Sequence, residues 1–507
     1  MVLLARLVLK TPPLGDYQRK AFQFLCANPA AGLFMEQATG KTWAAINAAA
    51  YRYLERMVGK VLVLGPYSSL GVWRSEFEKH CPVPYELRVL APTRETGDLN
   101  LARRAALVQA PWRPGHLRVV VTNLEAFWRR PLFQALQVWR PDMVVVDESH
   151  RIKRASTKQS TAAFTFTPIS PFRVVMTGTP ILQSPLDAFG QYRFLDPRVF
   201  GRSWTAFKNR YAIEGEREVW QTTRDEDGNL VRDEGGHAVK RSRAIRMIVA
   251  YKHLEELQTK IMGQAYRVTL EEALPHLPPE TWQPAAVRLT GDAADLYATL
   301  RTFHYARLDS GEEITADMAL TAAIRLQQVS GGFTKTGEGR EVLLKSNAKL
   351  EFLRDLLAEG ILPYEGRKVV IFAHFLKELD MICDLLDELN VAYVRVDGSV
   401  KYRDELIERF QTAPAVRAYV GQIHSGGVSV TLTAASTCIF YSTGYNVVDF
   451  DQAMRRVRRS GQTEPVLYIP ILAARTIDEY IWDALQKKTE VSRYLLDHWR
   501  QIVEGED

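Results

Sequence analysis

Residues 35–42, MEQATGKT, stand between the apolar run GLFME (32–36) and the alanine-rich stretch WAAINAAA (43–50). A strand, a tight loop and a helix in that order can cradle phosphate on backbone N–H groups and a helix N-terminus. In such a loop Thr39, Gly40, Lys41 and Thr42 bind the phosphates of ATP, with Lys41 on the β- and γ-phosphates and Thr42 a ligand of Mg²⁺. Gln18, about twenty residues upstream, fits paired hydrogen bonds to an adenine edge; it fits equally a polar position on an amphipathic helix.

A second set follows in VVVDESH (144–150), where Asp147 and Glu148 end an aliphatic run. Open α/β sheets bind ligands at the carboxyl ends of their strands. There Asp147 would hold Mg²⁺ through water, and Glu148 would orient and deprotonate the attacking water. Next comes MTGTP (176–180), whose Thr177 and Thr179 carry hydroxyls suited to bridging neighbouring loops; His150 belongs to the same coupling group.

A third set, DFDQAMRRVRRSGQT (449–463), spaces Gln452, Arg456 and Arg459 by four and three residues. On a continuous helix those spacings share one face. One glutamine and two arginines on one face suit an arginine finger reaching a γ-phosphate; a basic solvated helix is the plainer alternative.

These residues need scaffolds, and short β-branched runs alternating with helical patterns supply them in two regions. The first contains 32–36, 60–66, 117–123, 142–148 and 172–178; the second contains 368–374, 392–398, 418–423, 437–443 and 466–471. Continuous Val/Ile runs mark strands covered on both faces, and alternation with helices implies parallel sheets. The expected fold is therefore α/β, with two doubly wound lobes at 1–205 and 341–507. Between them, at 206–340, residues 214–243 predict a β-hairpin and 292–330 a helical protrusion.

A chain of 507 residues is long enough for two or three cores, and 46% hydrophobic with 24% charged residues is an ordinary globular balance. No apolar run approaches a membrane span. The opening MVLLARLVLK is interrupted by Arg6 and Lys10 and reads as a strand. Four scattered cysteines without a CxxC pair indicate neither a zinc site nor a disulfide framework. A net charge of +6 is compatible with a polyanionic partner, without requiring one.

Taken together the motifs resemble those of superfamily-two helicases, and among them the Swi/Snf-type DNA-dependent ATPases. LGDYQRKAFQFL (14–25), MEQATGKT, GPYSSLGVWRSEFEKH (65–80), VVVTNLEAF (119–127), DESH and TGTPILQSPLDAFGQYRFLDPRVFG (177–201) follow in family order. SNAKLEFLRDLL (346–357), KVVIFAHF (368–375), VDGSV (396–400), HSGGVSVTLTAAS (424–436), QAMRRVRRSGQ (452–462) and TIDEYIWDAL (476–485) complete the second half. Departures are Met35, Ala38, Leu182, Gln183, Ser429, Thr431 and Arg458. Ala38 replaces a usual glycine and strains the loop if that position requires φ > 0. Motifs confined to about 14–485 resemble the compact bacterial and phage forms, which implies a cytoplasmic protein.

The resemblance implies two RecA-like lobes sharing one ATP site, a monomer, and a duplex DNA track followed without reading sequence. Its phosphate contacts would be Ser68, Ser69 and Asn123 in the first lobe and Ser399, Ser425 and Gly426 in the second, all on loops after strands. The KRSR cluster (240–243) is a further candidate. A strand-separating helicase, and a nucleic-acid-binding scaffold with a weakened ATP site, are the competing readings.

Overall fold

Aliphatic side chains at successive strand positions require apolar cover on both faces of a sheet. In the computed structural model the runs Val61–Leu64 and Val144–Val146 are fully buried and lie side by side. The structure describes residues 7–91, 97–178, 180–181, 184–222, 240–309, 316–400, 402–423 and 430–487, together with Tyr494, His498 and Ile502. It divides into two units, Met1–Gly215 with Ile248–His276, and Glu216–Met247 with Leu277–Asp507.

The first unit holds a seven-stranded sheet. Its strands are β1 (Ala30–Met35), β2 (Lys60–Gly65), β3 (Tyr85–Leu90), β4 (Leu117–Asn123), β5 (Met143–Asp147), β6 (Phe172–Met176) and, after two intervening strands, β9 (Ala265–Val268). The order is β3-β4-β2-β5-β6-β1-β9, with every pair parallel. Alternate residues feed two cores. Leu62, Leu64, Val144 and Val146 pack with Phe127, Phe166 and Phe189 on one face. Val61, Val63 and Val145 pack with Trp73, Phe77 and the alanines of the helix Lys41–Leu54 on the other. Alanine is the strongest helix former, and its small side chain lets that helix lie close to the sheet.

The intervening strands β7 (Ala212–Thr222) and β8 (Lys240–Tyr251) form a two-stranded sheet of their own, where a hairpin was expected.

The second unit holds another seven-stranded sheet. Its strands are β10 (Glu280–Trp282), β11 (Ala285–Val287), β14 (Val369–Ala373), β15 (Tyr393–Val396), β16 (Ala418–Gln422), β17 (Thr437–Phe440) and β18 (Val466–Ala473). The order is β10-β18-β17-β14-β16-β15, with β11 also on β18, and all pairs are parallel. A small antiparallel pair, β12 (Phe333–Lys335) and β13 (Glu341–Leu343), stands apart. The helices Gly291–Asp309 and Ala316–Ser330 occupy the segment read as a helical protrusion.

Two expectations change. The middle segment is not separate: β9 returns to pair with β1, so Ile248–His276 belongs to the first unit, while Glu216–Met247 and everything from Leu277 onward fall in the second. The opening residues form no strand where they are described: Leu7 is buried, but 7–10 carry no ladder.

Candidate active site

The phosphate-loop candidate lies between β1 and the helix Lys41–Leu54, whose N-cap Gly40 adopts φ 78. Glycine is the residue that takes this left-handed backbone without strain. A Cβ on Gly40 would also sit 1.8 Å from Gln18 Nε2. Ala38, two residues earlier, has φ 65, so a side chain does occupy a left-handed position in this loop. The Thr39 hydroxyl donates to the Glu36 carbonyl at 2.6 Å. Glu36 Oε2 accepts the Leu270 N–H at 3.0 Å, tying the loop to the segment that follows β9.

Lys41 Nζ donates to the carbonyls of Met35 (2.8 Å) and Glu36 (3.2 Å). Burial holds its ammonium below the ordinary lysine range, against the opposing pull of Glu148, Asp147 and Glu36. Thr42 follows within the helix's first turn, half-buried.

Asp147 ends β5, and Glu148 stands immediately beyond it at φ 49 and ψ 52. A non-glycine residue held there costs on the order of 1–2 kcal/mol, a kind of strain that collects at functional sites. Only 7% of Asp147 and 3% of Glu148 is exposed. Burial raises both carboxyl groups, and the Glu148 charge raises Asp147 further. Asp147 is held by the Trp73 indole N–H (3.2 Å) and the Glu148 backbone N–H (3.0 Å).

His150 keeps 12% of its side chain exposed, and desolvation of the rest lowers it to about 3 and leaves a neutral imidazole at physiological pH. Its Nδ1 lies 3.3 Å from Glu148 Oε2 and 3.1 Å from Thr177 Oγ1. The first contact is therefore that of a neutral ring and not an ion pair. Thr177 and Glu148 consequently share one ring nitrogen. A second bridge runs from the Ser149 hydroxyl to Gln191 Oε1 (2.7 Å), and from Gln191 Nε2 to the Pro180 carbonyl (2.6 Å). Two links thus join the DESH turn to the TGTP segment. Trp73 and Gln191 were both visible within their motifs, but their bonds to Asp147 and to Ser149 and Pro180 were not.

Several expected residues have other roles. Both ends of the Gln18 amide are engaged by the chain: Nε2 donates to the Thr39 carbonyl (3.1 Å), and Oε1 accepts the Leu14 N–H (2.7 Å). With Gln18 only 1% exposed, it braces the phosphate loop here and offers no open edge to an adenine. Ser69 is 2% exposed and its hydroxyl donates to the Pro66 carbonyl, so it does not face a nucleic-acid backbone. Asn123 is likewise buried, with its Oδ1 accepting from Arg104 (2.7 Å) and its Nδ2 donating to Glu125 (3.0 Å). Ser399 remains exposed, its N–H and hydroxyl both donating to Asp397 Oδ1. The Ser68 backbone lies in the turn Tyr67–Ser69. Thr179, Ser425, Gly426 and the Ser68 side chain lie outside the described residues, as do the side chains of the KRSR cluster.

In the second unit the expected single face does not extend to Arg459. The helix Val447–Val457 ends with Arg458 as its C-cap, so only Gln452 and Arg456 share a helical face. Arg456 is 3% exposed, its guanidinium 5.6 Å from the centre of the Phe372 ring. Arg459 is half-buried, and its Nη1 donates to the Val430 carbonyl at 3.3 Å. Arg458 donates to the Pro278 carbonyl and Glu280, fixing the chain at β10.

The first-unit cluster fits a nucleotide with Mg²⁺. Two buried carboxyl groups are forced upward, a lysine ammonium meets only backbone carbonyls in hydrogen bonds, and a threonine hydroxyl opens the helix. Mg²⁺ commonly takes one or two protein oxygens and completes its shell with phosphates and water. Among the described residues no trio of His, Cys, Asp or Glu is arranged to hold a metal by itself.

Fold and site together define a helicase-like ATPase core of superfamily two. Residues 17–331 match the SNF2-related domain and residues 348–461 the helicase conserved C-terminal domain. The chain belongs to the SNF2-related family. It is 29% identical over 476 residues to the Chromodomain-helicase-DNA-binding protein 1-like of Danio rerio, covering 92% of this chain and 42% of the relative. It is 26% identical over 512 residues to a human SWI/SNF-related matrix-associated actin-dependent regulator of chromatin, subfamily A member 1, covering 97% and 44%. The chain thus spans less than half the length of these curated relatives. The solved SWI2/SNF2 ATPase core of Sulfolobus solfataricus in complex with dsDNA aligns over 100% of both chains, at 22% identity and a TM-score of 0.43.

Proposed function

We propose that this chain hydrolyses ATP in response to nucleic acid and uses the cycle to move along duplex DNA and remodel protein–DNA complexes. The observation that carries the reading is the Lys41–Asp147–Glu148 cluster, two buried carboxyl groups and a half-buried lysine set at the carboxyl edge of β1 and β5. Lys41 exchanges its two carbonyl partners for the β- and γ-phosphates. Thr42 and Asp147 would hold Mg²⁺, which supplies positive charge to the phosphate oxygens. Glu148, raised by burial, is a stronger base than a free carboxylate and takes the proton of the attacking water.

Gln452, Arg456 and Arg459 are proposed for the γ-phosphate. Arg459, half-buried, is better disposed for this than Arg456, which is enclosed in its own lobe. Through His150 the base communicates with Thr177, and through Ser149 and Gln191 with Pro180. These links suit transmission of nucleotide state to the TGTP segment.

Support for a DNA track comes from family membership and from relatives whose names carry DNA binding or chromatin regulation. Of the proposed track contacts, Ser399 is the one whose described side chain lies open; Ser425 and Gly426 complete the second-lobe set.

The decisive experiment measures phosphate release with duplex DNA, single-stranded DNA and RNA, beside Glu148→Gln. Duplex DNA should stimulate most, and the variant should lose about 10²-fold or more of turnover while retaining ATP binding. Equal stimulation by RNA, or no release at saturating duplex DNA, contradicts the reading. Strand displacement in a fluorescent assay would favour an unwinding helicase instead.

A further inference from the structure

The carboxyl edge of the second sheet carries a cationic cavity separate from Gln452, Arg456 and Arg459. β11 and β18 run parallel in register, with Val287 opposite Ala473, and the Ala474 N–H donates to the Val287 carbonyl at 2.7 Å. Arg288 therefore leaves one strand beside the point where Arg475 leaves its neighbour. Arg301, on the helix Gly291–Asp309, joins them to line a cavity of about 290 Å³ floored by Leu289 and Tyr297.

Three guanidinium groups around one hollow repel one another and create a positive potential that a bound anion would relieve. Among the described residues, none of the three side chains is ion-paired or hydrogen-bonded. The nearby Glu479 carboxylate accepts the backbone N–H of Arg475 (3.1 Å). The first amides of the helix Ile477–Gln486 are also engaged: Ile477 N–H donates to the Tyr297 hydroxyl (2.8 Å), and Asp478 N–H to the Thr476 hydroxyl (3.2 Å). Any anion here must be gripped by the arginines themselves. Arg475 holds φ 59, a left-handed backbone that a side chain adopts only at a cost. Carboxyl edges of parallel strands are where such sheets receive ligands.

We infer that Arg288, Arg301 and Arg475 form a second anion site that binds a phosphate group. Planar forked donors match phosphate oxygens two at a time. The phosphate belongs either to a nucleic-acid backbone or to a free phosphate compound. The inference does not require the proposed ATPase cycle.

The test uses the full chain with Arg301→Gln/Arg475→Gln, and Arg340→Gln as a control that removes an exposed charge between β12 and β13. One arm titrates inorganic pyrophosphate by calorimetry in a Lys41→Ala background, which weakens binding at the phosphate loop. The other measures duplex DNA affinity across a salt series. A loss of about fivefold or more in the duplex arm, with the slope of log K on log salt reduced by about 1 per contact removed, assigns the site to a nucleic-acid backbone. The same loss in the pyrophosphate arm assigns it to a free phosphate compound. The inference is overturned if both arms stay within about twofold of wild type, if Arg340→Gln loses as much as the double variant, or if the wild-type chain binds neither probe. Thermal midpoints of Arg301→Gln/Arg475→Gln and of Arg340→Gln should match that of the chain they are made in, since these three side chains are exposed or half-buried and support no other group. If the wild-type chain binds no DNA, the pyrophosphate arm still decides the inference, and the failure then falls on the proposed function.

Discussion

The Trp73 indole N–H donates to Asp147 Oδ2 at 3.2 Å, across 74 residues of sequence. It thereby stabilises the charged form of a carboxyl group that burial and Glu148 together push upward. Trp73→Phe keeps the ring packed beside Phe77 but removes the donor. A hydrogen bond to a charged group contributes about 1.5–3 kcal/mol, so Asp147 should rise further, by roughly one pH unit or more. The acidic limb of the pH profile of kcat/KM should move to higher pH. An unmoved limb with unchanged turnover would show that the indole only packs.

Ala38 at φ 65 places a Cβ where glycine is at ease. Ala38→Gly relieves about 1–2 kcal/mol of backbone strain, against roughly 0.4–1 kcal/mol of added freedom in the unfolded chain. The expected outcome is stabilisation of up to about 1 kcal/mol by denaturant titration, with ATP KM unchanged or lower. A clear loss of stability would mean that the alanine methyl makes a compensating contact.

Gly190 is required for close approach. A Cβ there would fall 2.1 Å from the Ile152 carbonyl and 2.5 Å from that of Lys153, both backbone atoms at the end of the DESH turn. Gly190→Ala must displace either the turn or the helix Ala188–Leu195, at about 1–3 kcal/mol. Because the turn carries Glu148 and His150, turnover should fall about tenfold or more, with ATP affinity changing far less. Fluorescent-nucleotide binding beside steady-state kinetics separates the two effects.

Glu378 lies buried in the second unit, and burial raises it from 4.5 to about 7; the Ser442 hydroxyl, the Phe375 N–H and Lys349 oppose the rise, whereas Asp478 adds to it. The folded chain therefore holds a proton that the unfolded chain releases near 4.5. Stability from this group is present at low pH and is lost as pH climbs through about 7. Glu378→Gln should flatten that dependence and leave the chain more stable at pH 8, by on the order of 1–3 kcal/mol. Denaturant midpoints measured from pH 5 to pH 8 check both sign and window.

Ten strands of the two parallel sheets, all but the terminal β15 with a neighbour on each side, were legible because a strand covered on both faces must be aliphatic throughout. In those sheets β3, β9, β10 and β11 escaped: β3 and β9 close the two ends of the first sheet, and β10 and β11 are three-residue strands that pair only with β18; the short antiparallel pair β12 and β13 escaped as well. β3, for example, is only partly buried over five of its six residues. The local strings around Lys41 and Asp147-Glu148 were also legible, because phosphate cradling and the strand-end carboxylate pair are each made by consecutive residues.

What the chain order could not reveal is which polar groups tertiary packing would consume. Ser69 and Asn123 look solvent-facing as loop residues after strands, yet folding buries them against Pro66, Arg104 and Glu125. Arg459 keeps helical spacing in the sequence, but the helix ends two residues before it. Ser149 with Gln191, and Arg458 with Glu280, meet across 42 and 178 residues. Composition and local pattern fixed the strands, helices and reactive side chains, because those follow from short-range sterics and apolar cover. Only the tertiary structure decided which of those side chains remain available, since each buried donor or acceptor must find a partner wherever the fold happens to bring one.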